Sequence, residues 1–144
     1  MRLISVGRSG FPAAAMLTTA DDGTELVLPV VARDRAGSFA PVSMNDVLGD
    51  WPSWSEQLTV IRAQAAQDSW RPIAEFDVLA PVPHPRSLIC IGLNYRDHAA
   101  ETGAAIPTNP VVFAKHRSAV GAPGTAIVLP ALATEVYNQC NRLV

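Results

Sequence analysis

Apolar and polar residues alternate with a period of two through the first third of the chain. Arg2 to Gly7 is predicted to form a strand and Ala13 to Thr19 a second, with Asp21-Asp22-Gly23 supplying turn chemistry before a third run from Glu25 to Val31. This describes a small antiparallel sheet with a tight hairpin. Pro29 has no N–H to give a ladder, so it assigns the last run to a sheet edge. Ser43 is placed to cap a short turn through Val47 and Leu48. The period then changes: Trp54, Leu58, Ile61 and Ala65 recur at i, i+4, i+7 and i+11, and Glu56 stands three residues after Ser53. A helix starting at Ser53 with a capping box and a core-facing stripe is predicted, its tryptophan a packing residue.

Leu79 to Pro85 carries prolines at 81, 83 and 85, which predicts a stiff, extended connector. A domain boundary is expected there, with residues 1–78 as a small N-terminal domain, 79–85 as the connector and 86–144 as a second unit. The second unit opens with Ile89 to Glu101, ICIGLNYRDHAAE, an apolar strand running into a short polar helix. Asn94 can cap that helix, Asp97 sits at its third position so that the turn begins at Tyr95, and Gly103 is placed to end it in a left-handed conformation. His98 and Glu101 then share a face. Two readings follow from that spacing: a general base with its orienting carboxylate, or an exposed ion pair worth a few tenths of a kcal/mol. Lys115, after the apolar run Val111-Val112-Phe113, has a bland reading too, as a lysine at a strand end that snorkels to water.

Composition narrows the classes. The 144 residues are 49% hydrophobic and 17% charged, which is a globular balance with enough apolar material for a core. Net charge is −2 and the basic residues are scattered apart from Lys115 and Arg117, so no nucleic-acid footprint is visible. Neither a long apolar run nor a signal-peptide pattern is present, so no membrane association and a cytoplasmic location are expected. Cys90 lies inside an apolar strand and Cys140 in the tail, a spacing that suits neither a metal knuckle nor a redox pair. No GxGxxG, P-loop or GxSxG occurs, which removes support for nucleotide binding and serine hydrolysis.

The strings LAPVPHPRSLICIGLNYRDHAAETGAAIP and PVVFAKHRSAVGAPGTAIVLP, within Leu79 to Glu135, resemble the opening of the catalytic domain in the fumarylacetoacetate hydrolase family. That family includes isomerases and decarboxylases of the 2-hydroxyhepta-2,4-diene-1,7-dioate and 5-oxopent-3-ene-1,2,5-tricarboxylate type. The resemblance implies a mixed α/β fold with mainly β content: a small N-terminal β/α domain, then the first part of a mixed β-roll. It implies that His98 and Glu101 form a water-activating dyad on a segment that closes over the substrate, and that Lys115 stabilises charge developing on it. Asn94, Tyr95, Arg96 and Ser118 become candidate substrate contacts. The implied substrates are dicarbonyl compounds or 2-oxo acids, among them acylpyruvates, oxaloacetate-like acids and ring-cleavage products of aromatic catabolism. The reactions are C–C hydrolysis, decarboxylation or isomerisation, with Mg2+ or Mn2+ as cofactor and a homodimer as the assembly.

One departure limits what the resemblance carries. The family's metal ligands come from a Glu-x-Glu strand just after this region and a later aspartate, whereas Glu135 is the sole acidic residue after Glu101 here. Glu75-Phe-Asp77 places two acids at alternate strand positions, but before the connector. The usual metal ligands are therefore expected to be absent and the chain to be an inactive fragment, clipped or frameshifted near Val136, with apolar strand edges left unpaired. The alternatives are a metal-free ligand-binding remnant, and one half of a split enzyme that needs a partner chain.

Overall fold

A computed structural model describes residues 1–8, 11–33, 35–101, 103–129 and 131–132. The strands are β1 (Arg2–Arg8), β2 (Phe11–Thr19), β3 (Glu25–Pro29), β4 (Val31–Arg33), β5 (Phe39–Pro41), β6 (Arg71–Pro72), β7 (Asp77–Val78), β8 (Leu88–Gly92) and β9 (Val111–Lys115). The helices are α1 (Met44–Gly49), α2 (Trp51–Gln64) and α3 (Arg96–Glu101). The chain is mixed α/β with mostly sheet. None of the described helices is long and apolar enough to cross a membrane.

The alternation of the first third folds as it reads. An antiparallel sheet runs β6-β3-β2-β1-β7, and the β2–β3 hairpin turns at Asp21 to Gly23. Gly23 sits at φ +87°, a left-handed conformation that suits glycine, and the Thr24 N–H donates to Asp22 Oδ1 at 2.8 Å. That donor, from backbone and side chain of Thr24, holds the Asp22 carboxyl below its usual value.

Both faces of this sheet are covered, because the period-2 pattern sends alternate residues to opposite sides. Ala14, Met16 and Leu28 pack with Val30, Val47 and Leu58 on one face. Val6, Ala13, Ala15 and Val27 pack on the other, beneath Ile73 and Phe76 from the 3₁₀ segment that follows β6. The predicted stripe on α2 is present: Leu58 is fully buried, and Trp54, Ile61 and Ala65 pack against the same cluster.

Three expectations are corrected here. The helix begins at Trp51, not Ser53, since Pro52 has the fixed φ and missing N–H that a first helical turn accommodates. Ser53 lies inside it and its hydroxyl accepts from Gln57 Nε2 at 2.9 Å. The capping box stands one helix earlier, where the Asp46 N–H donates to Ser43 Oγ at 3.1 Å and the Ser43 N–H donates to Asp46 Oδ2 at 3.3 Å. Pro29 does not make its strand an edge, because β6 pairs with Leu26 and Val27 beside it. Pro29 instead ends β3, and Val31 belongs to a separate ribbon with β5.

The Pro-rich segment 79–85 is tied to the first sheet and to α1. The Leu79 N–H donates to the Ser5 carbonyl at 2.9 Å, Ser5 Oγ donates to the Pro81 carbonyl at 2.7 Å, and Asn45 Nδ2 donates to the His84 carbonyl at 2.7 Å. Beyond it, β8 and β9 form a two-stranded antiparallel ribbon in the register Leu88↔Lys115 to Gly92↔Val111. Ile89 and Val112 on this ribbon are 67% and 61% exposed, so an apolar surface stands open among the described residues.

Candidate active site

The junction of β8 with α3 positions the candidate residues. Gly92 packs against β9 at ordinary contact distance: a Cβ there would meet Val111 Cγ1 at 3.4 Å and Phe113 Cε1 at 3.5 Å. Leu93 then adopts φ +50°, a left-handed conformation costing a non-glycine residue about 1–2 kcal/mol. This bend was not legible in the sequence. It delays the helix by one residue, so Tyr95 rather than Asn94 precedes the first helical position, although the Tyr95 carbonyl still accepts from the Ala99 N–H at 3.3 Å. The C-terminus is as expected: Gly103 is left-handed at φ +64°, the Ala104 N–H donates to the Ala99 carbonyl at 2.9 Å and the Gly103 N–H to the Ala100 carbonyl at 3.2 Å. Together they form a Schellman motif.

Successive residues turn about 100° around a helix, so Tyr95, Arg96 and Ala99 occupy one side of α3 and His98 and Glu101 another. The first side lines a cavity of about 390 Å³ that Thr108 and Asn109 also line. Asn94, Tyr95 and Arg96 are thus brought together around one space. His98 and Glu101 share the neighbouring face, His98 half-buried and Glu101 exposed, and neither lines the cavity.

Lys115 stands at the far end of β9, opposite Leu88, with Nζ 5.8 Å from the centroid of the Phe113 ring. Ser118 faces a separate space of about 500 Å³ with His84 and Arg117. Thr108 and Asn109 were missed by reading the sequence. The available signal was their position between Pro107 and Pro110, which marks a rigid turn but not which way it faces.

The donor set for a divalent cation does not fit. Among the described residues no group of three or more His, Cys, Asp or Glu could hold a metal ion. Glu75 is engaged by Arg71 at 2.6 Å, and Glu135 and Cys140 lie outside the described residues.

Residues 87–139 match the family model described as fumarylacetoacetate (FAA) hydrolase C-terminal. Over this stretch the chain is similar to the fumarylacetoacetate hydrolase family. It is 43% identical over 75 residues to the mitochondrial oxaloacetate tautomerase Fahd2a of Rattus norvegicus, a match covering 52% of this chain and 24% of that protein. The human mitochondrial oxaloacetate tautomerase FAHD2A is 40% identical over 75 residues, covering 52% of this chain and 24% of that protein. Protein Rv2993c of Mycobacterium tuberculosis is 44% identical over 69 residues, covering 48% and 25%. The match therefore spans about a quarter of the length of these relatives.

Proposed function

We propose that this chain carries the proton-transfer part of an enzyme site for short 2-oxo acids or acylpyruvates, with keto–enol isomerisation as its reaction. The observation that carries the reading is the β8–α3 junction, which sets His98 and Glu101 on one face of a closed helical turn beside a cavity lined by Arg96. The names of the tautomerase relatives support the choice of reaction. Isomerisation removes a proton from the carbon beside a carbonyl and returns one to oxygen, with nothing consumed. The resemblance supplies the roles, with His98 as the base, Glu101 fixing its tautomer and Lys115 stabilising charge on the enolate oxygen. None of the three lines the cavity, so the reading requires the α3 segment to close over the substrate. Asn94, Tyr95 and Arg96 hold the substrate carboxylate, and Ser118 contributes at the periphery.

In this reading the chain has a small N-terminal domain, a connector at 79–85 and the opening of a family-type β-roll from residue 86. The family's magnesium or manganese would be held by carboxylates outside the described residues, so the chain by itself is inactive. The open face of the β8–β9 ribbon favours a second reading, in which a partner chain supplies those carboxylates and the missing strands. Homodimer formation and a cytoplasmic location belong to the same proposal.

The test follows loss of the enol absorbance of oxaloacetate and of an acylpyruvate. The chain alone should not exceed the solvent rate. Joined after Val136 to a family-type strand bearing Glu-x-Glu and the rest of the sheet, and given magnesium, it should turn over. In that protein His98→Ala should lower the rate by about 10²- to 10⁴-fold while leaving metal affinity intact. An unchanged rate in a folded, metal-bound His98→Ala protein would remove the dyad from the mechanism.

A further inference from the structure

We propose that the N-terminal sheet carries a ligand site of its own, a preformed apolar cavity shared with the β4–β5 ribbon that takes an uncharged, ring-bearing molecule with a carbonyl oxygen. It is separate from the space beside α3.

The sheet face that carries Val6 and Ala13 is covered by Ile73 and Phe76, and the cover is incomplete. A cavity of about 420 Å³ remains, lined by Val6 and Ala13, by Pro29 at the end of β3, by Val31 and Pro41 from the ribbon, and by Phe76. Val6 and Ala13 are paired across β1 and β2 and are 2% and 7% exposed, whereas Val31 is 45% exposed, so the cavity runs from the buried face to the surface. A dry apolar cavity of roughly 150 Å³ admits one benzene ring, which leaves room here for a ring with a side chain.

The lining is fixed before a ligand arrives. The Ala14 N–H donates to the Val42 carbonyl at 2.7 Å and the Val30 N–H to the Ala14 carbonyl at 2.8 Å, which ties the ends of the ribbon to β2. Pro29 and Pro41 add two fixed φ angles. A ligand therefore gains contact with apolar atoms that lack neighbours, and little ordering entropy is lost.

Arg71 is the one charged residue among the described lining residues, and its pairing sets the charge of the ligand. Its Nε and Nη2 donate to Glu75 Oε1 and Oε2 at 3.3 and 2.6 Å, so the guanidinium charge is already balanced. A carboxylate entering the cavity would have to displace Glu75 or stand unpaired in apolar surroundings, and a cation would meet the guanidinium. A neutral carbonyl does neither. It can accept from Nη1, the nitrogen that Glu75 does not engage, and the ion pair stays intact.

Acetophenone and benzoate, which differ by a methyl group in place of an O⁻, test this on the full chain by amide chemical-shift titration. Acetophenone should saturate with a dissociation constant on the order of a few millimolar, ordinary for a ligand of its size, with shifts centred on Val6, Ala13, Val31 and Phe76. Benzoate should bind at least about tenfold more weakly. Glu75→Gln should reverse that order, because Arg71 then lacks its carboxylate partner. Ala13→Leu should abolish binding by filling the cavity, and Val31→Phe, at an exposed position, should weaken it about tenfold even if the first variant does not fold. No saturable binding of acetophenone, shifts centred on Ile89 and Val112 instead, equal or tighter binding of benzoate, an unreversed order in Glu75→Gln, or unaltered binding in a folded filled variant would each overturn the proposal.

Discussion

The sheet of the first 78 residues and the β8–β9 ribbon are built from similar apolar strands, yet one is covered on both faces and the other leaves the face of Ile89, Ile91 and Val112 open. Val27 and Met16 have almost no exposure, while Ile89 is 67% exposed. The difference lies in connectivity. The first sheet receives α1, α2 and the segment from Ile73 to Phe76 from its own sequence neighbourhood, whereas α3 covers only the end of the ribbon where its cavity lies. A strand pattern therefore states that a face is apolar, but not what packs on it.

The contrast predicts unequal sensitivity to truncation. Leu58→Ala should destabilise the chain by about 2–5 kcal/mol in urea unfolding, as expected for a leucine at a filled site, while Ile89→Ala should change stability by no more than about 0.5 kcal/mol. Comparable losses at both positions would show that the ribbon is buried in solution, by a second copy or another partner. A smaller effect sharpens the same comparison at the helix starts. Ser43→Ala should cost about 1 kcal/mol because it removes a capping box, and Ser53→Ala should stay within about 0.5 kcal/mol because its hydroxyl caps nothing.

The smallest effect is the pH dependence of the β2–β3 turn. The Thr24 N–H and hydroxyl hold the folded Asp22 carboxyl below the ordinary aspartate value, so its contribution is fully present above that ordinary value and is lost as pH falls through the lower folded one. Asp22→Asn should flatten the acid limb of a stability profile below about pH 4 and leave the profile near neutrality almost unchanged. A flattened limb near pH 6 would assign the titration to another group.

How much of this was legible in the sequence differs by region for a physical reason. The hairpin at Asp21–Gly23, the stripe Trp54–Leu58–Ile61 and the Gly103 terminus are local, each set by residues within a few positions of one another. The start of α2 was misread because Ser53 and Glu56 fit a capping box as well as Ser43 and Asp46 do, and only Pro52 favoured the earlier start. At the site, the face shared by His98 and Glu101 followed from helical spacing. The cavity did not: it needs the left-handed Leu93 and a loop returning from residue 106, neither of which leaves a periodic trace.

The hydrogen bonds from Ser5 and Asn45 to the connector also have a mechanical meaning. Tension applied to the chain beyond residue 86 would reach the Asn45–His84 and Ser5–Pro81 contacts before it reached the ladder between β1 and β7. Such single side-chain bonds yield one after another. The connector is in this sense a set of single links in series, releasing slack before the two-residue pairing of β7 with β1 is loaded.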